Sequence, residues 1–149
     1  MSDLVTLDRA FQTTRLWMNE MSKELQWTEE RRIYLALRTV LHAIRDRITL
    51  PEAVQFGAQL PTFIRGVYYE GWRPGPRPLR NRSTEAFLEE IRREFAKTRA
   101  ARIDPEDVAR AVFKFLNGKI AGGELTEVRD QLPKGIRHLW PEQTENTAA

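Results

Sequence analysis

Residues that could perform catalysis or bind a metal are few and widely separated in this chain. Its two histidines, His42 and His138, lie in different halves of the sequence, and there is no cysteine to act as nucleophile or metal ligand. Neighbouring glutamates at 29–30 and 89–90 point in different directions on a helix, which favours solvation over acid–base chemistry. We therefore predict no catalytic residue, metal site or cofactor, and an enzyme only if folding assembles a site that the sequence does not display.

The most prominent candidate for a binding site is the segment YYEGWRPGPRP, residues 68–78. Aromatic rings interleaved with arginines can stack on bases and hold phosphates. Three prolines in the same segment cannot continue a helix, so the segment also fits a stiff spacer that follows a helical unit. Both interpretations stay open. The candidate residues here are Tyr69, Trp72, Arg73, Arg77 and Arg80.

A second basic feature precedes this segment. Arg31, Arg38 and Arg45 recur every seven residues, with His42 beside them, and would share one edge of a helix. Residues 65–102 carry ten basic and five acidic side chains, whereas the whole chain has a net charge of only +3. The pattern predicts either a weak binder of nucleic acid or anionic surfaces, or a solvated helix face.

The chain also contains an internal repeat. Residues 36–69 align without a gap on 108–141, with nine of 34 positions identical, where average composition would give about two. Glu52 and Arg65 recur as Glu124 and Arg137. We predict that each Glu–Arg pair ties a short helix to the one that follows it. Tyr68 aligns with Trp140, which predicts a buried aromatic side chain in both copies.

Apolar side chains recur at helical spacing throughout, and no segment alternates with the period of a strand. We predict an all-α protein, an internal duplication of two units of about four helices each, packed as a helical bundle. Thr28, Ser83 and Asp104 are expected to cap helices, and Gly118 to end one. The expected organisation is a first repeat at 1–72, a Pro/Arg-rich connection at 73–82, a second repeat at 83–142 and a flexible tail at 143–149.

The residues RTVLHAIRDRIT and AVQFGAQLPTFIRGVYYEGW resemble the bacterial Domain of Unknown Function 2267 family. The resemblance extends from about Leu7 to Trp140 and is most specific in the block 36–74. It implies a small all-helical bacterial protein with an internal duplication, and it implies no activity, cofactor or catalytic residue. The second copy lacks the tyrosine pair and the Gly-Trp-Arg-Pro extension of the first.

The function that these features favour is a non-catalytic helical interaction module in the bacterial cytoplasm. Its partner would be another protein or a second copy of the chain, bound in a groove that Trp17, Met18 and Met21 could line. A Met–Trp stripe at helical spacing is more often part of the core, and this interpretation of the three residues stays open. The absence of cysteine and of an apolar leader favours the cytoplasm, and no apolar stretch has the length of a membrane span. The alternatives are the nucleic-acid or anionic-surface binder and an enzyme whose site the sequence does not display.

Overall fold

The computed structural model describes residues 2–75, 82–98 and 102–142, and these residues form eight helices and no strand. Four helices precede the undescribed residues 76–81 and four follow them. The prediction of an all-α fold is thus confirmed. The helices are α1 (Ser2–Leu25), α2 (Glu30–Arg45), α3 (Leu50–Ala58), α4 (Thr62–Tyr69), α5 (Thr84–Ala96), α6 (Pro105–Asn117), α7 (Gly122–Gln131) and α8 (Lys134–Arg137).

Local sequence sets most of the helix ends. The side chains of Ser83 and Asp104 accept hydrogen bonds from the first turns of α5 and α6, as predicted, and α6 ends at Gly118. The prediction that Thr28 caps α2 is wrong, because Glu29 occupies that position and makes no side-chain capping bond. Helix α1 instead ends in a turn in which Gln26 has a φ of 59°. Helix α2 begins at Glu30, one residue later than a cap at Thr28 would place it.

Helix α2 is the central element of the bundle. It packs against α1, α4, α5 and α6, and nine of its residues are buried. Helix α1 packs mainly on α6, where Trp17 meets Phe115 edge to face. Helices from both sides of the undescribed segment therefore share one hydrophobic core.

Tyr68 and Trp140 both lie in this core, as predicted, with exposed fractions of 0% and 3%. The Trp140 ring stacks on Phe113 with the ring centres 4.1 Å apart. The Tyr68 hydroxyl donates a 2.7 Å hydrogen bond to the carbonyl of Ala53, which connects α4 to α3. Each large ring thus fills core volume, and each polar atom has a partner, since Trp140 Nε1 donates to Asn117 Oδ1.

We expect Tyr68→Phe to lower the free energy of unfolding by about 1–3 kcal/mol, because the Ala53 carbonyl would lose a buried donor. Tyr34→Phe is the matched control, since Tyr34 is half-buried and its hydroxyl lies outside this contact. Urea denaturation followed by circular dichroism measures both changes. Equal stabilities of Tyr68→Phe and wild type would show that the α3–α4 bond contributes nothing.

Candidate functional site

The basic edge of α2 meets the carboxyl end of α4. Arg45 donates to the carbonyls of Tyr68 and Glu70 at 2.7 and 3.1 Å. His42 Nε2 lies 2.7 Å from the carbonyl oxygen of Val67, so that nitrogen carries the donated proton. The last turn of a helix leaves its carbonyls without partners inside the helix and carries partial negative charge. Arg45 and His42 satisfy these carbonyls, which gives both residues a structural role.

The other two arginines of the predicted stripe differ in their surroundings. Arg38 donates from Nε and Nη2 to the carboxylate of Glu70, the residue that ends α4. Arg31 is exposed at the start of α2. The fold thus gathers Arg38, His42 and Arg45 at one place, but it directs them at α4 and away from an external ligand.

The segment that follows α4 folds back onto it. Gly71 has a φ of +70°, a conformation that glycine adopts without strain, and this turn returns Trp72 to stack on Tyr69 at 5.4 Å. The Tyr69 ring lies against Gly57, where a Cβ would come within 2.4 Å of the Tyr69 hydroxyl. Arg73 is exposed. The aromatic pair therefore packs the start of the connection against α3 and α4, while Arg77 and Arg80 lie outside the described residues.

The predicted Glu–Arg pairs take different partners in the structure. Arg65 donates to the carbonyls of Gly57, Ala58 and Leu60, so it caps the carboxyl end of α3. Among the described residues, no ion pair joins Glu52 to Arg65 or Glu124 to Arg137. The carboxylates of Glu52 and Glu124 instead lie close to each other. Arg65 thus connects α3 to α4 through backbone carbonyls of Gly57, Ala58 and Leu60.

An apolar groove of about 420 Å³ runs between α1, α2 and α4. Phe11 and Met18 of α1 line one side, and Ile33 of α2 and Phe63 of α4 line the other. Of the three residues for which both a groove and a core position were considered, Met18 lines the groove, whereas Trp17 and Met21 are buried in the core. Phe11 and Phe63 are 65% and 54% exposed, which is unusual for side chains of this size.

The contribution of the first half of α1 to this groove could not be recognised from the sequence. Its apolar residues continue the stripe of the second half, so the two halves share one helix face. Trp17 is the first buried residue of α1, and the preceding positions from Leu4 onward are exposed or half-buried. Helix periodicity shows which residues share a face, but the length of the neighbouring helices decides how much of that face is covered.

We expect Arg45→Ala to lower the free energy of unfolding by about 1–3 kcal/mol, because buried carbonyls at the end of α4 would lose a charged donor. Arg31→Ala removes the same charge from an exposed position of the same helix and should change stability by no more than about 0.5 kcal/mol. Chemical denaturation measures both. Equal effects of the two substitutions would contradict the capping role of Arg45.

The contribution of His42 to stability should fall as the pH decreases below 6.5, the ordinary pKa of histidine. Burial lowers the pKa of His42; the hydrogen bond to the Val67 carbonyl is the largest opposing effect, and the charges of Arg45 and Arg38 lower the pKa further. At this site the unfolded chain then binds more protons than the folded chain, so protonation of His42 on acidification favours unfolding. The raised pKa values of Glu90 and Glu124 act in the opposite direction, so the difference in melting temperature between His42→Gln and wild type, followed from about pH 7.5 to about 5.5, measures the His42 contribution.

His42→Gln should remove the part of the pH dependence that comes from His42, because glutamine does not titrate in this range. Its uncharged amide can still donate to the Val67 carbonyl, so the contact is kept. His138→Gln is the matched control, since His138 is exposed and should leave the dependence in place. An unchanged pH profile in His42→Gln would show that His42 is not its source.

Comparison with known proteins places the chain in a family. A family model with the description "Uncharacterized conserved protein (DUF2267)" matches residues 14–139, which include the second half of α1 and all of α2 to α8. No curated protein matches the chain. Within the described ranges, no helix combines the length and the apolar character that crossing a bilayer requires. Since the match spans most of the sequence, the chain belongs to the DUF2267 family.

Proposed function

We propose that this protein is a non-catalytic helical interaction module whose binding surface is the groove between α1, α2 and α4. The observation that carries the proposal is the exposed apolar stripe on the first half of α1. We further propose that the occupant of the groove is a second copy of the same chain, so that the protein acts as a homodimer.

The stripe follows a heptad pattern along α1. Leu4, Leu7, Phe11 and Thr14 alternate at spacings of three and four, and Met18, Met21 and Leu25 continue the series. The last three positions pack into or against the core, whereas Leu4, Leu7 and Phe11 are 64%, 66% and 65% exposed. A helix of this length gains most of its stability from packing an apolar face. The first half of α1 therefore lacks the contact that its sequence is suited to make.

A second copy of the chain fits this surface because the surface is self-complementary. In a two-fold dimer each subunit presents the same patch, so α1 of one copy would pack antiparallel on α1 of the other. A pairing centred near Phe11 sets Leu4 of one copy beside Met18 of the other. It also brings Asp8 within reach of Arg15 of the other copy, which matches opposite charges on both sides of the contact.

Burial supplies the driving force for this association. Full burial of a Leu or Phe side chain contributes roughly 1.5–3 kcal/mol. Leu4, Leu7, Phe11 and Phe63 would be covered in each of two copies, against a loss of rigid-body freedom on the order of 4–15 kcal/mol. The free energy gained by burying these side chains is larger than most of this range of costs, so we expect a dimer of moderate affinity.

The basic edge of α2 offers less support for nucleic-acid or anionic-surface binding. Arg38 and Arg45 already bind the end of α4, which leaves Arg31 and Arg73 exposed. The groove is therefore the surface that we propose to be functional.

We also propose that the protein arose by internal duplication of a four-helix unit and acts in the bacterial cytoplasm. The duplication is supported by the order of the helices. The aligned residues lie in α2, α3 and α4 of the first unit and, in the same order, in α6, α7 and α8 of the second. The proposed units are 1–72 and 83–142, joined by the connection at 73–82. The cytoplasmic location is supported by the lack of cysteine in the chain.

Sedimentation velocity at loading concentrations from about 1 to 200 μM tests the dimer, a range that brackets moderate affinities. Wild type should shift from monomer to dimer as the concentration rises. Phe11→Asp should remain monomeric, because it would place a carboxylate at the centre of the interface. Val5→Asp is the matched control on the same helix. Val5 is also exposed but lies off the heptad stripe, so the Val5→Asp variant should still form the dimer.

Charge exchange tests the antiparallel arrangement. Asp8→Arg and Arg15→Asp should each weaken the dimer, and the double variant should restore it, since opposite charges would again face each other. A wild type that stays monomeric throughout, or a dimer that Phe11→Asp leaves intact, would overturn the proposal.

A further inference from the structure

Three carboxylates meet where α3 packs against α7. One oxygen from each of Glu52, Glu124 and Glu127 lies within 4.8 Å of the other two. Glu52 is the third residue of α3 and Glu124 the third residue of α7, so the two helix starts bring their side chains together. Glu127 follows Glu124 by three positions and therefore shares its face of α7. The cluster links two helices that are distant in sequence.

The carboxylates in this cluster lack the partners that buried charges normally have. Glu52 is only 8% exposed, and its Oε1 is buried without a hydrogen-bond donor, as is Oε1 of Glu124. Within the described part of the chain, no lysine, arginine or histidine forms an ion pair with any of the three. Burial and the neighbouring Glu52 carboxylate raise the pKa of Glu124 to about 7. Carboxylates held this closely repel one another, and a bound cation would relieve that repulsion, as a proton shared between Glu52 and Glu124 does.

Helix capping does not account for the position of Glu52. Thr49 and Glu52 have the spacing of a capping box, in which the glutamate would accept from the backbone N–H of Thr49. That N–H instead donates to Oε1 of Gln131 on α7, at 2.8 Å. Glu52 therefore does not cap its own helix, and one of its carboxylate oxygens lies within 4.8 Å of an oxygen of Glu124.

We propose that Glu52, Glu124 and Glu127 form a binding site for a hard divalent cation of the size of Ca²⁺, which bridges α3 and α7. Carboxylate oxygens are the ligands that Ca²⁺ and Mg²⁺ prefer, whereas Zn²⁺ sites usually contain nitrogen or sulfur. Exposed Glu127 gives the site an opening to solvent, through which the ion enters and water completes its coordination.

The number of carboxylates favours Ca²⁺ over Mg²⁺. Ca²⁺ takes roughly 6–8 oxygen ligands in a flexible geometry, and the three oxygens all lie within 4.8 Å of one another, close enough to share one ion. Mg²⁺ demands a near-octahedral geometry, keeps several waters and is usually held by one or two carboxylates. The site should therefore bind Ca²⁺ more tightly than Mg²⁺.

Isothermal titration calorimetry with CaCl₂ on the full-length protein tests the site. Wild type should bind one Ca²⁺ per chain, with an affinity at least about tenfold higher than for Mg²⁺. Ca²⁺ should also raise the melting temperature, because an ion that bridges two helices binds only the folded state. Glu52→Gln and Glu124→Gln should each weaken Ca²⁺ binding by at least about tenfold and abolish the rise in melting temperature.

The choice of glutamine and an Asp130→Asn control separate loss of the Ca²⁺ site from unfolding and from a general change of charge. Glutamine preserves the size of the side chain and can donate to the remaining carboxylate, so the variants should fold, which circular dichroism verifies. Asp130→Asn removes one negative charge from an exposed position of α7 outside the cluster and should leave Ca²⁺ binding unchanged. Wild type that binds no Ca²⁺ at millimolar concentration, or binding that survives both glutamine substitutions, would overturn the proposal.

Discussion

The burial of α2 among four other helices is the constraint on which the rest of this structure depends. Such a position leaves little access to water for the polar residues of α2, and yet Arg45 is buried there, with Arg47 directly after the helix. Buried guanidinium groups need acceptors, and neighbouring elements provide them. Arg45 binds the carbonyls at the end of α4, and Arg47 binds the carbonyl of Ala43 and the carboxylate of Glu90 on α5.

These internal contacts change where function is to be sought. Clusters of arginine and aromatic residues are typical of nucleic-acid binding surfaces, but here Arg38, Arg45 and Tyr69 stabilise the packing of α4. The features that packing leaves without partners are of other kinds: the apolar stripe around Phe11 and the carboxylates around Glu52. Both lack the contacts that their chemistry favours, and this is why the two proposals rest on them.

Much of the fold was predictable from local sequence. The caps at Ser83 and Asp104 and the end of α6 at Gly118 depend on a few neighbouring residues, and so they could be read directly. The burial of Tyr68 and Trp140 was predictable because a large aromatic residue at both aligned positions indicates a shared core environment. The start of α2 was missed by one residue, since Thr28 and Glu29 are adjacent and the backbone takes Glu29 as the cap without a side-chain hydrogen bond that the sequence could indicate.

The candidate sites were less predictable, because they depend on which elements meet. Sequence by itself determined that the chain is helical, which residues share a helix face and that Ser83 and Asp104 cap α5 and α6, since these properties follow from local spacing and side-chain chemistry. Only the tertiary structure decided that the stripe of α1 extends past its neighbours at Leu7 and Phe11, and that Glu52 faces Glu124 in place of Arg65. Contacts between residues far apart in the chain depend on helix lengths and packing directions, which no local pattern specifies.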